Sequence, residues 1–274
     1  MTTRFALLVG AASTVVLAMA GVPVKAQENS KLAMEEIVVT ARIRAETLED
    51  VPIAIEAFGT QKIEENGIDS VARVAQYSAS LTYDTGVLPN DTRPVIRGVS
   101  SNRGRANVAT LVDDIDVTSE ALTVGGGGMT ANMRLMDLQQ VEIIKGPQSV
   151  VYGRSAFSGA INYVTRRPSD TFEGQLDVNA DEHDTYEGKL SVSGPITDTL
   201  KGRLNFTAYD TDGWYDNPNT GNDLGGGDMH GAALALEWNP RDVFSAYTRV
   251  EYSDEHYQPR ATVLKRSTLN DPVG

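Results

Sequence analysis

Few residues in this chain are arranged to do covalent chemistry. The three histidines, His183, His230 and His256, sit in loops or at strand ends with no ligand spacing, whereas zinc sites need convergent ligands. Gly125-Gly126-Gly127-Gly128 is followed by Met129-Thr130 and lacks the Gly-Lys-Ser/Thr of a phosphate-cradling loop; the run gives a loop conformational freedom instead. Asp113-Asp114-Ile115-Asp116 could seat calcium through its oxygens, yet acids at a strand–turn–strand junction are usually turn formers. No Gly-x-Ser-x-Gly elbow with a matching histidine occurs. Cysteine is absent, which removes thiolate metal sites, Cys nucleophiles and disulfides together. No catalytic residue, metal site or cofactor is expected, and an enzyme is not the reading.

What remains is recognition by backbone. Ile37-Val38-Val39-Thr40-Ala41 is a β-branched island in the otherwise polar stretch 27–46, preceded by Glu35-Glu36 and followed by Arg42 and Arg44. A partner could capture such a segment by strand addition, with main-chain hydrogen bonds giving affinity. By residue type alone it could equally be the first strand of the domain that follows.

The elements that position these residues begin with an address. Arg4 supplies a short positive start, Phe5 to Ala20 is nearly all apolar or small, and Val24 and Ala26 occupy the positions a signal peptidase reads. The run is short for a bilayer-spanning helix, which needs ~20 apolar residues. Residues 1–26 are therefore expected to be a removed signal peptide. They carry Arg4 and Lys25 and no acid, so their loss takes the formal charge from −13 to −15. So acidic a chain is not expected to bind nucleic acid, which requires a basic surface. No later apolar stretch suits a membrane helix, so a membrane location would require a β-barrel.

Residues 47–168 read as a compact α+β domain. Strands are expected over Val51–Phe58, Pro94–Val99, Ala109–Asp113 and Val141–Lys145, with helices at Thr60–Ile63 and Ser70–Ala75. Asn66-Gly67 marks the end of the first helix. Long Gly-, Ser- and Asn-rich loops are expected at 84–93, 100–107 and 118–132, and loops of that length are usually functional or disordered.

From residue 172 the pattern changes to apolar–polar alternation, in Phe172–Ala180, Tyr186–Ser193, Leu200–Tyr209 and Val243–Tyr252 and less cleanly in His230–Trp238. Each run is close to the roughly 9–11 residues of a tilted transmembrane strand, and such alternation marks an outer-membrane barrel. A soluble sandwich with one wet face would share it. Aromatics near strand ends (Tyr186, Tyr209, Trp214, Trp238, Tyr252) point to a membrane girdle. Gly194–Thr199 and Asn239–Asp242 are short and Asp210–Met229 long and polar, as expected of inner turns and an outer loop.

Together these residues resemble the TonB-dependent receptors. Glu36-Ile37-Val38-Val39-Thr40-Ala41 is similar to the TonB box, Val51–Ile55 to the first plug strand, and Ile96-Arg97-Gly98-Val99 to an internal plug strand. The block from Val141-Glu142-Ile143-Ile144-Lys145-Gly146-Pro147 through Tyr152-Gly153 and Gly159-Ala160-Ile161-Asn162 to Thr165 and Pro168 resembles the plug's C-terminal motif. The resemblance implies an α+β plug domain, a mixed β-sheet with short helices, followed by an antiparallel transmembrane β-barrel. That barrel is incomplete here, with about six strands before Gly274 against roughly 22 in the family, so the chain is expected to be a fragment. The implied organisation is a signal peptide over 1–26, a flexible lead over 27–46 with the box at 36–41, the plug over 47–168 and barrel strands over 169–274.

The resemblance also implies partners: TonB with its inner-membrane motor proteins, outer-membrane lipid, and a small-molecule ligand such as a ferric siderophore. Cobalamin, a carbohydrate or an aromatic compound is the alternative cargo, and a barrel-less binding or signalling module the alternative role. Arg97 and Lys145 are the cations that would lock the plug onto barrel carboxylates. Asp84, Asn90, Asp91, Arg93, Asn102, Arg103, Arg105, Ser119, Glu120 and Asn132 fall in loops that would face the ligand.

Overall fold

The computed structural model describes residues 38–39, 46–47, 54–68, 70–85, 92–99, 106–118, 136–181, 184–216, 221, 223–241 and 243–258. The expected signal peptide lies outside them. In chain order the elements are β1 (Val38–Val39), β2 (Glu46–Thr47), β3 (Ile55–Gly59), α1 (Thr60–Glu65), α2 (Val71–Tyr77), β4 (Leu81–Thr85), β5 (Thr92–Ile96), β6 (Val108–Val112), β7 (Ile115–Asp116), β8 (Leu138–Lys145), α3 (Ser149–Tyr152), β9 (Gly159–Thr165), β10 (Glu173–Ala180), β11 (Thr185–Thr197), β12 (Leu200–Asp216), β13 (Asp223–Arg241) and β14 (Phe244–Tyr257).

The first domain is built on a sheet of order β3-β8-β9-β6-β7. β6 and β9 run parallel and the other pairs antiparallel, so the sheet is mixed, as expected. β8 and β9 are its centre, and their residues are buried almost without break, the mark of strands covered on both faces. One face packs Phe58, Val141, Ile143, Ile161 and Tyr163 against Ile63, Ile68 and Val74 of the helical segment and Leu81 and Ile96 of the β4–β5 hairpin. The other face gathers Leu111, Ile144, Tyr152 and Ala160. Each large apolar side chain so buried contributes roughly 1.5–3 kcal/mol. α1 ends at Asn66, and Gly67 follows at φ +57, the left-handed stop that only glycine adopts without cost.

The hairpin β4–β5 corrects the expected 84–93 loop. Asp84 pairs with Arg93 in register, so both are strand residues and only 86–91 lies between the strands. The threonines at 82, 85 and 92 favour this extended backbone.

The second unit is an antiparallel sheet of order β10-β11-β12-β13-β14. Its cross-strand rows sort by face. Leu176, Leu190, Phe206, Ala232 and Tyr252 fall opposite one another, as do Gly174, Val192, Leu204, Leu234 and Val250. This face is bare: Leu176 is 64% and Val250 67% exposed. The opposite face carries Arg203, Asn205, Thr207 and Thr211, all buried, with Arg203 bonded to Asp137 of the first domain. Apolar outside and polar inside is the membrane-barrel arrangement. Trp238 and Phe244 stack edge-on at one end of the outer face, and Tyr186 and Tyr252 stand exposed toward the other. These outward rings fit the expected girdle; Tyr209, one register step off, faces inward and is half-buried.

The long loop expected over Asp210–Met229 is a correction. β12 and β13 stay paired from Leu200↔Trp238 up to Asp216↔Asp223, leaving only 217–222 between them. Side-chain alternation stops near residue 210, but the ladder is held by backbone hydrogen bonds and continues. The chain crossing at 166–172 and the turn at 198–199 share one end of the sheet, where Ser169 N–H donates to Ser193 Oγ (2.9 Å). The extended hairpin projects from the opposite end. Among the described residues no helix is long and apolar enough to cross a membrane; the outward strand face supplies the apolar surface.

Candidate functional site

The site emerges where the first domain meets the strand sheet. β8 begins just after Asp137, whose backbone sits at φ +55, a conformation uncommon outside glycine. This geometry aims its carboxylate at β12. Arg203 donates from Nε to Asp137 Oδ2 (2.6 Å) and from Nη2 to Oδ1 (2.7 Å), a bidentate fork. A third donor, Nη1, reaches Glu173 of β10 (2.9 Å). The Arg203 and Asp137 side chains are only 3% and 7% exposed. Planar forks of this kind are the strongest charge-assisted pairs.

Around this pair the elements are knotted together. Arg166, next to the crossing, donates to Leu138 O (3.2 Å), Gln175 Oε1 of β10 (3.2 Å) and Glu64 Oε1 of α1 (2.5 Å). Arg167 lies over the Tyr247 ring of β14, 4.1 Å from its centroid. Lys201 pairs with Asp170. Gly231 of β13 lets the domain come close, because a Cβ there would stand 2.8 Å from Met136 Sδ.

Beside the knot lies an acidic turn. Asp113 and Asp114 adopt φ +48 and +67 between β6 and β7. The Asp113 carboxylate accepts from Thr165 N–H and Oγ1–H, both at 2.8 Å. Asn162 donates to Asp114 (3.0 Å) and to the fully buried Glu142 (3.2 Å), which also accepts from Gln140 (2.6 Å). Burial, then the neighbouring Glu142 and Asp113 charges, push the Asp114 carboxyl up to about 6. The turn-forming reading of these acids fits the geometry.

The two cations expected to lock onto the barrel, Arg97 and Lys145, make no ion pair with β10–β14 among the described residues. Lys145 bonds Glu56 Oε2 at 3.0 Å, inside the first domain. Burial pushes Glu56 up, but donation from Ser78, Lys145 and Ser80 outweighs it and holds the carboxyl below its usual range. Arg97 sits at φ +51 in the turn after β5, exposed and without an ion pair among the described residues. The expected internal strand therefore stops at Ile96. Lys145 lies at the Gly159 end of β8, some 26 Å along the strand from Asp137 at ~3.3 Å per residue. Between the domain and β10–β14, the Asp137–Arg203 pair has the opposite polarity, a domain anion on a wall cation.

Of the expected strand-addition segment, Val38 and Val39 pair antiparallel with Thr47 and Glu46. Glu36, Ile37, Thr40 and Ala41 lie outside the described residues. So do Asn90, Asp91, Asn102, Arg103, Arg105, Ser119, Glu120 and Asn132; Asp84 and Arg93 are strand residues. Asp137, Arg203 and Arg166 were not foreseen. Their partners are 66 residues apart in the Asp137–Arg203 case, and no local period signals such a contact.

This architecture, a mixed-sheet domain seated on the polar face of an outward-apolar strand sheet, defines a plugged membrane barrel. Residues 47–160 match the family described as TonB-dependent Receptor Plug Domain. The iron-regulated outer membrane virulence protein of Vibrio cholerae is 27% identical over 150 residues, 53% of this chain and 22% of its own length. The vitamin B12 transporter BtuB of Vibrio vulnificus is 30% identical over 144 residues, 52% of this chain and 22% of its own. The crystal structure of the ferric yersiniabactin uptake receptor FyuA from Yersinia pestis superposes with a TM-score of 0.64 at 26% identity, covering 73% of this chain and 31% of FyuA. The chain thus spans less than a third of each relative's length, and its described wall strands do not close into a barrel.

Proposed function

We propose that this chain forms the plug and first wall strands of an outer-membrane receptor for energised uptake of a ferric siderophore. The carrying observation is the seated plug: a folded domain covers the polar inner face of a sheet whose outer face suits lipid. Such a pore must be opened by work. TonB would supply it by strand addition at residues 36–41, where Val38 and Val39 already hold the extended backbone such capture needs. Ligand binding outside and TonB binding inside are then coupled sites, with the plug between them.

Iron–siderophore cargo is favoured by the Y. pestis relative, a ferric yersiniabactin uptake receptor. Cobalamin is the second reading, favoured by the 30% identical B12 transporter. Asn90, Asp91, Asn102, Arg103, Arg105, Ser119, Glu120 and Asn132 are proposed to meet the ligand, with residues 1–26 directing export.

The test uses the full receptor in iron-starved cells offered radioactive iron on a hydroxamate or catecholate carrier. Uptake is expected, with Val39→Pro abolishing it while surface binding survives, because proline removes a ladder donor. Uptake of labelled cobalamin instead would replace the iron reading. Undiminished uptake by Val39→Pro would remove residues 36–41 from the coupling.

A further inference from the structure

The seam between plug and wall is unevenly satisfied. At Arg203, Nε, Nη1 and Nη2 each reach a carboxylate. Two residues along β12, Asn205 is as deeply buried, at 3% exposed. Neither its Oδ1 nor its Nδ2 has a partner among the described residues. On the same cross-strand row as Arg203, the Arg249 Nη1 is buried without one. The hydroxyls of Thr165 and Tyr247 approach only to 3.4 Å. The direct bonds across the seam are thus concentrated at Arg203 and thin out along the strand beyond it.

The strong bond also has a place in the chain. Asp137 O accepts from Arg166 N–H (3.0 Å), directly beside the crossing from plug to wall. Its left-handed backbone persists only because these surroundings hold it. We infer that the Asp137–Arg203 pair anchors the C-terminal half of the plug, β8 and β9, to the β10–β14 wall. The plug parts from the wall away from this anchor, where direct bonds are fewer, pivoting on it rather than leaving as a body. Without the anchor the seal itself fails, since each lost partner strands the other charge where water cannot reach it. The inference rests on the plugged-pore reading but requires neither a ligand nor TonB.

The test is ion conductance of the full receptor in planar lipid bilayers, with potassium chloride as the only probe. Barrel assembly is checked by heat-modifiable mobility. Arg203→Gln and Asp137→Asn are each expected to raise conductance about tenfold or more over the wild type, by stranding a buried charge. Arg203→Lys should fall between, because a point charge replaces a fork. Lys201→Gln, at the exposed Asp170 pair, and Asn205→Ala, which loses no bond, should stay closed. Should Arg203→Gln not assemble, Arg203→Lys and Asp137→Asn decide. If assembled Arg203→Lys and Asp137→Asn conduct no more than the wild type, or Asn205→Ala leaks as much as they do, the anchor is wrong. Loss of iron uptake in the separate cell assay would leave this result standing.

Discussion

The two ends of β8 use charge in opposite ways. At Leu138 the strand leaves Asp137 on a wall arginine, both side chains nearly sealed from solvent. At Lys145 it ends on Glu56 of its own domain, with side chains 19% and 26% exposed. A half-buried pair of the second kind adds less, since solvent partly screens it and side-chain entropy opposes it. The first kind costs much to desolvate and is strongly felt only when half of it is removed. The difference shows that one strand can carry a charge pair to the wall at one end and a pair within its own domain at the other.

The largest effect should follow from breaking the buried end. Asp137→Asn or Arg203→Gln in the full receptor should destabilise the seated plug by ~3–5 kcal/mol, read as a lower urea midpoint for plug release. Next comes the acidic turn. Asp114 titrates near 6 in the fold against an ordinary 3.8. A raised folded value means that its contribution is fully present below 3.8 and lost as pH rises through about 6. Plug melting should therefore rise by a few degrees from pH 7 to pH 5, and Asp114→Asn should flatten that rise. Glu56 has the opposite sign: its lowered value gives stability present above its ordinary 4.5 and lost only as pH falls further. The window between 4.5 and 6 separates the two.

Smaller still, Lys145→Gln should cost up to about 1 kcal/mol, given its partly exposed pair. Arg97→Gln, in an exposed turn, should stay within ~0.5 kcal/mol in the same unfolding series. A large loss at either position would erase the contrast between the two ends.

The sequence was most legible where side chains alone set the pattern. The alternation of Phe172–Ala180 or Leu200–Tyr209 follows from one wet and one lipid face, and β10 and β12 lie there. The continuous run Val141–Lys145 likewise marks the buried β8. Legibility failed where backbone bonding overrode composition. Gly225, Gly226 and Gly227 read as loop, yet β13 runs through them because a ladder needs no side chain. Leu81–Thr85 was hidden for a related reason, since a short hairpin strand with polar alternation resembles a loop. Arg97 and Lys145 were visible as cations, but sequence spacing carries no information about their partners. Asp137 and Arg203 were invisible for the same reason, their meeting being a product of tertiary register.

The most direct measurement is a double-mutant cycle on Asp137→Asn and Arg203→Gln, read as urea-driven plug release in the full receptor, beside the same cycle on Glu56→Gln and Lys145→Gln. The account predicts a coupling of about 3 kcal/mol for the buried pair, at the upper end for groups in contact, and under ~1 kcal/mol for the other. Additive losses at Asp137 and Arg203 would contradict it, because the plug would then be seated by something else.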